Sequence, residues 1–381
     1  MTDSISRWAL VLLCPVVSLA QVPTPNAALA LEQQQKWAEA AQVWKAVTAD
    51  NPNDAAAFAS LGVDLSRIQN YNEAATAYRK ALKLNPKLPG IALNLGLAEF
   101  KQEHFSAAVP ALRSALTADP SSSQAGTLLG MSYFALKKFD LAAQYLEPAS
   151  KADPGNAELH QMLAQSCLWA KKMECALDEF RLLLQQSPDS APTHVLMGHA
   201  LDGLGRTSEA IAEFEMAVKI APREPNVHFA LGYIHWRSQE FEAARKEFEQ
   251  ELAVDPDHEQ ALAYLGDIEW KSDHPDAALP LLQKAVKTNR NFRFAYLELG
   301  TIYLARKDYK EAEPALLRAV KLDPGEPDAH YQLGRLYQAT GRTLEAKKEL
   351  QTVRELHQKA DETPAGKIPS APTPVSPTNT Q

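Results

Sequence analysis

Histidine, cysteine, tryptophan and clustered carboxylates are the side chains of this chain most able to do chemistry. His160, His194 and His228 are 34 residues apart, and His330 follows three intervals later. Imidazoles ligate a metal when several converge on one point. Equivalent places in neighbouring repeated units lie about a helix-pair width apart, on the order of 10 Å. The spacing therefore reads as packing between units, and no metal site is expected. The run Glu247-Phe248-Glu249-Gln250-Glu251 reads as a solvated helix face. No Gly-rich phosphate loop, HExxH motif or nucleophile elbow occurs. No catalytic residue is assigned, no cofactor is expected, and the chain reads as a non-enzyme.

Two pairings remain. Cys167 and Cys175 sit either side of an expected turn. Residues four before and four after a hairpin turn can face each other, so a disulfide and a pair of free thiols both stand open. The doublets Trp236-Arg237 and Trp270-Lys271 are one interval apart. They would set two indoles side by side with a cation next to each, a surface for a peptide or for the rings of a glycan.

The elements that must position these groups follow from the same interval. Stepping by 34 from Gly62 reaches Gly96, Gly130, Ala164, Gly198, Gly232, Gly266, Gly300 and Gly334. From Ala40 every step lands on alanine through Ala346, and from Pro52 on proline through Pro324, with Arg290 the single break. A small residue in each of two helices lets them approach closely. Bulky residues four after the alanine, from Trp44 and Tyr78 to Leu350, fill the core stripe. Proline ends the second helix. Asp54, Ser122, Asn156 and Ser190 are placed to cap the next one. Pro89, Pro225 and Pro327 are expected in first turns. Pro110, Pro280 and Pro314 fall inside second helices and are expected to bend them.

This pattern of Leu-Gly, Ala, a bulky apolar residue and Pro resembles the tetratricopeptide repeat family. The resemblance implies an all-α fold, a right-handed superhelical solenoid of helix-turn-helix units. It covers residues 21–360 in ten units starting at 21, 55, 89, 123, 157, 191, 225, 259, 293 and 327. The family's first-helix tryptophan is absent, and the histidines occupy its place in four units. Lys347 and Arg354 replace apolar docking residues in the tenth unit, which reads as a cap.

In this family the first helices line the inner surface, where partner segments bind. Helical spacing and the resemblance together put Leu93, Leu97, Phe100, Met131, Phe134, Leu168 and Trp169 there. Further along, the same face would carry Phe229, Tyr233, Trp236, Arg237, Asp267, Trp270, Lys271 and Leu297. The family's carboxylate clamp is missing, with Ala59, Val63, Leu93 and Leu97 at the corresponding sites. The implied function is a scaffold for protein or peptide segments; a carbohydrate-binding module using Trp236 and Trp270 is the alternative.

The chain has 381 residues, 39 basic and 47 acidic, for a net charge of −8. A net acidic surface disfavours nucleic acid. Three cysteines are too few for a thiolate zinc site or a disulfide framework. Residues 1–20 read as a secretory signal: Arg7, ten apolar residues from Trp8, then Ser18-Leu19-Ala20, with cleavage after Ala20. The expected location is periplasmic or secreted, with no membrane span after cleavage. Residues 361–381 read as a Pro-rich disordered tail.

Overall fold

The computed structural model describes residues 23–361. The expected signal segment with its cleavage point, and the tail beyond Asp361, lie outside the described residues. Among the described residues there are twenty α-helices and no strand. They divide inside α10 (Met173–Gln186) into two compact units, one ending at Glu179 and one starting at Phe180.

Unit 1 holds α1 (Pro25–Gln33), α2 (Trp37–Asp50), α3 (Ala55–Arg67), α4 (Tyr71–Leu84) and α5 (Ile91–Lys101). It continues through α6 (Phe105–Ala118), α7 (Ser123–Ala135), α8 (Phe139–Ala152) and α9 (Ala157–Trp169). Unit 2 holds α11 (Ala191–Gly203), α12 (Thr207–Ile220), α13 (Val227–Arg237), α14 (Phe241–Val254) and α15 (Glu259–Lys271). It continues through α16 (Pro275–Thr288), α17 (Arg293–Ala305), α18 (Tyr309–Leu322), α19 (Pro327–Ala339) and α20 (Thr343–Asp361).

In each unit an odd helix packs on the even helix after it, and that even helix on the next odd one. From α3 onward, consecutive odd helices of a unit also touch, whereas no comparable contact joins consecutive even helices. The odd helices therefore stand closer together and form the inner layer of their unit. Small residues make this possible. A Cβ on Gly62 would sit 2.4 Å from the Tyr78 ring, and one on Gly198 2.5 Å from the Phe214 ring. Tyr78 and Phe214 are each 1 % exposed. Burying each ring contributes roughly 1.5–3 kcal/mol.

Each odd helix ends in a left-handed residue at the same place in the repeat. It is glycine only at Gly205 and Gly341; Gln35, Gln69, Glu103, Lys137, Lys171, Gln239, Asp273 and Lys307 take the conformation elsewhere. The next amide reaches back five residues, as from Lys138 N–H to the Tyr133 carbonyl at 2.9 Å, closing a Schellman turn.

The caps depart from expectation in three places. Asp54, Ser122 and Asn156 accept backbone N–H groups of the following helix. Ser190 stands at its N-cap, but its hydroxyl pairs with that of Thr193 at 2.8 Å instead. Pro327 opens α19, whereas Pro89 and Pro225 precede their helices, because Gly90 and Asn226 adopt left-handed N-cap conformations that delay the start. Pro110, Pro280 and Pro314, and Pro148 besides, are accommodated inside continuous 14-residue helices. No helix of the described residues is long and apolar enough to cross a membrane.

Candidate partner-binding faces

The recurring histidines are spent inside their own hairpins. Nδ1 of His160, His194, His228 and His330 meets a carboxylate oxygen of Glu179, Glu213, Glu247 and Glu349 at 2.5, 2.6, 2.7 and 2.5 Å. Nε2 of each donates to the carbonyl of the proline six residues earlier, Pro154, Pro188, Pro222 or Pro324. Each ring thus staples a first helix to its second helix and to the end of the preceding repeat. A readable signal accompanies it: glutamate stands 19 residues after each of these histidines. The places 19 after Phe58, Ala92, Gly126, Leu262 and Tyr296 hold Ala77, Ala111, Tyr145, Leu281 and Ala315.

On the inner layer of unit 1, Leu93, Leu97 and Phe100 of α5, Met131 and Phe134 of α7, and Trp169 of α9 are all half-buried. Leu168, expected beside them, is 6 % exposed and belongs to the core. Phe134 meets Phe139 edge-on at 5.9 Å, and Phe139 stacks on Trp169 at 6.1 Å, which holds these rings in place without covering them. Beneath them Glu99 is 1 % exposed and paired with Arg79 and His104.

The inner layer of unit 2 differs from expectation. Phe229 is core, 9 % exposed, with its ring 4.8 Å from His258 and 5.9 Å from Phe248. Leu297 is likewise buried. The two indoles do not form a pair of equals. Trp236 stacks on Tyr233 at 5.9 Å, contacts Tyr264 at 4.7 Å and donates Nε1–H to Asp267 at 2.6 Å. Lys271, expected beside Trp270, lies over the Trp236 ring at 5.0 Å. The cause is the buried Asp267 carboxylate one turn earlier, which holds the Lys271 ammonium at 2.7 Å. Trp270 is half-buried against the cluster around Leu262, Ala278 and Leu282. Arg237 is exposed and paired with Asp202 at 2.5 Å. Cations stand at this surface with acids beneath them.

Several groups in unit 2 were not anticipated. Glu251, read as part of a solvated run, is fully buried and accepts the backbone N–H of Asn226 at 2.7 Å and of Phe229 at 3.0 Å. Glu247 of the same run is the partner of His228; only Glu249 and Gln250 of that run face solvent. Glu298 has its carboxyl pushed up to about 8 by burial first, then by Asp267, with Lys271 opposing. Burial pushes the Tyr233 hydroxyl up to about 12 and the His199 imidazole down to about 4. In unit 1, Cys167 and Cys175 form a disulfide with Cα atoms 5.8 Å apart, joining α9 to α10 across their turn.

Tetratricopeptide repeat models match residues 26–89, 60–123, 195–259, 229–293 and 265–327, and a second such model matches 99–166 and 303–363. Among solved structures, the APC/C hetero-tetramer Cut9–Hcn1 aligns with a TM-score of 0.53 at 14 % identity, covering 87 % of this chain and 80 % of that one. YrrB, described as a repeat protein with an unusual peptide-binding site, aligns with a TM-score of 0.39 at 21 % identity over 47 % of this chain and 92 % of its own. A thermophilic repeat protein of Thermus thermophilus gives 0.39 at 21 % identity over 48 % of this chain and all of its own. At such identities the likeness speaks to the fold alone. No curated protein matches the chain.

Proposed function

The chain belongs to the tetratricopeptide repeat family, and from that premise we propose that it is a non-catalytic scaffold of the cell envelope or secreted space. It grips an extended or helical segment of a partner protein on the inner layer of unit 1. One observation carries this reading: Leu93, Leu97, Phe100, Met131, Phe134 and Trp169 all keep partial exposure on the first helices of successive repeats. A contiguous apolar surface of that kind is costly to leave in water and marks an interaction site. In unit 2 the corresponding surface is smaller, formed by Tyr233, Trp270, Arg237 and Lys271. The signal-like segment at residues 1–20 and the Cys167–Cys175 bond support an oxidising location.

Photo-crosslinking residues placed at Leu97 and Phe134, with mass spectrometry in the native host, test it. One protein captured from both positions, and lost with Leu97→Asp or Phe134→Asp, is the expected result. Retention of a cell-wall polysaccharide that depends on Trp270, with no protein captured, would replace the scaffold with a glycan-binding module. Trp236 offers little to such a module, since its ring already lies under Lys271 and against Tyr233.

A further inference from the structure

Asp64 is the least compensated polar group of unit 1. It lies on α3 with 0 % exposure, and neither carboxylate oxygen has a hydrogen-bond partner. An ionised carboxylate left that way is expensive, and the ordinary escape is to keep the proton. The titratable groups that act on it come from α1, α3 and α4. Glu32 of α1 accepts the Trp44 indole N–H of α2 at 2.7 Å and stands near enough to share a proton with Asp64. Arg67 of α3 opposes the two acids, but its guanidinium lies over the Trp37 ring at 5.3 Å. Tyr78 of α4 turns its hydroxyl to Ser66 at 3.1 Å. Burial first, and then Glu32, push the Asp64 carboxyl up to about 7.

The helix that carries Glu32 is the one least able to resist. α1 has nine residues, and Ala28 is its only buried side chain. A cavity of 790 Å³ lies along α1 and α2, lined by Ala27, Leu31, Val43 and Ala46. Segments with so few buried contacts open locally at low free-energy cost.

We propose that α1 is a flap released by proton loss: a proton shared between Asp64 and Glu32 holds it against α3, and when that proton leaves to solvent the two carboxylates repel and α1 lifts. Lifting hydrates Asp64, frees Glu32 from Trp44 and uncovers the edge of unit 1 formed by α2 and α3. Because the open state returns Asp64 to an ordinary carboxyl, linkage sets the form of the response. The open-to-closed ratio rises about tenfold per pH unit up to about 7 and is level above it.

Hydrogen exchange of the full chain at pH 5 to 9, read in the peptides covering α1 and corrected for base catalysis with α5 amides as internal reference, tests this. The expected result is that rise and plateau in the wild type and a flat profile in Asp64→Asn, whose amide can donate to Glu32 but cannot ionise. Glu32→Gln should make the rise shallower, because the glutamine amide can donate to an ionised Asp64 while burial still disfavours its charge. It also keeps the test alive should the asparagine variant fold poorly. A wild-type profile without pH dependence, or a rise undiminished by either substitution, overturns the proposal.

Discussion

The two units are built from one repeat and differ in what they do with their inner layers. Unit 1 leaves Leu97, Met131 and Phe134 half-open, with Glu99 and Asp64 as its buried acids. Unit 2 fills the same places with rings and ties them down. Phe229, Tyr233, Trp236 and Tyr264 lean on one another, and Glu251, Asp267 and His258 bond to their helix ends and indole. Aromatic residues at inner positions are thus no sign of a free surface. A large ring contacts its neighbours in adjacent repeats, and a buried carboxylate nearby fixes its polar edge.

The largest difference between the units is expected at Glu251. Truncation to alanine strands the backbone N–H groups of Asn226 and buried Phe229 at the start of α13 and should destabilise unit 2 by about 3 kcal/mol. Denaturant unfolding monitored by exchange in α13 and α5 would show the loss in the first and not in the second. A change under about 1 kcal/mol in α13 would mean that the aromatic packing alone holds unit 2.

A second effect, on the order of 1 kcal/mol per pH unit, separates the units by titration. Glu298 binds its proton more tightly in the folded state, so it lowers the stability of unit 2 as pH rises from about 4.5 to about 8. His199 binds its proton less tightly when folded, so it lowers stability as pH falls from 6.5 to about 4. Their slopes cancel between 4.5 and 6.5, leaving a plateau and then a decline toward pH 8. His199→Phe should turn that plateau into a continuous decline, and Glu298→Gln should remove the decline above it. Unit 1, where burial and Glu32 raise the Asp64 carboxyl, should decline from about 4 to about 7. Thermal melts across pH, resolved by unit through exchange, would check all three profiles.

The smallest effect concerns what the units share. Lys137 holds a left-handed conformation that L side chains adopt at a cost. Lys137→Gly should stabilise unit 1 by about 0.5 kcal/mol, the relief of strain being partly offset by a more flexible unfolded chain. A destabilised variant would show that the lysine side chain contributes packing worth more than the strain.

The hairpins were legible because they rest on side-chain size at fixed intervals. Gly62 and Gly198 beneath rings, and an alanine at each closest approach, announce two helices in contact wherever they fall. The unit 1 face was legible in part for the same reason: Leu93, Leu97 and Phe100 have helical spacing, and Phe100 also meets Phe105 of its own hairpin edge-on at 5.4 Å. The histidine staples could have been read, since glutamate follows each at 19 residues. That link appears only when two periodic series are compared with each other.

The 34-residue interval by itself determined a stack of helix pairs, because close approach and core filling depend on residue volume and volume is written in each residue. Which inner side chains stay open was decided only by the tertiary structure. Exposure and charge depend on what neighbouring helices bring to the same spot. Phe229 met His258 and Phe248, Lys271 was drawn to Asp267, and Asp64 found no partner but Glu32. Desolvation and Coulomb interactions act through space between residues that the chain order keeps apart.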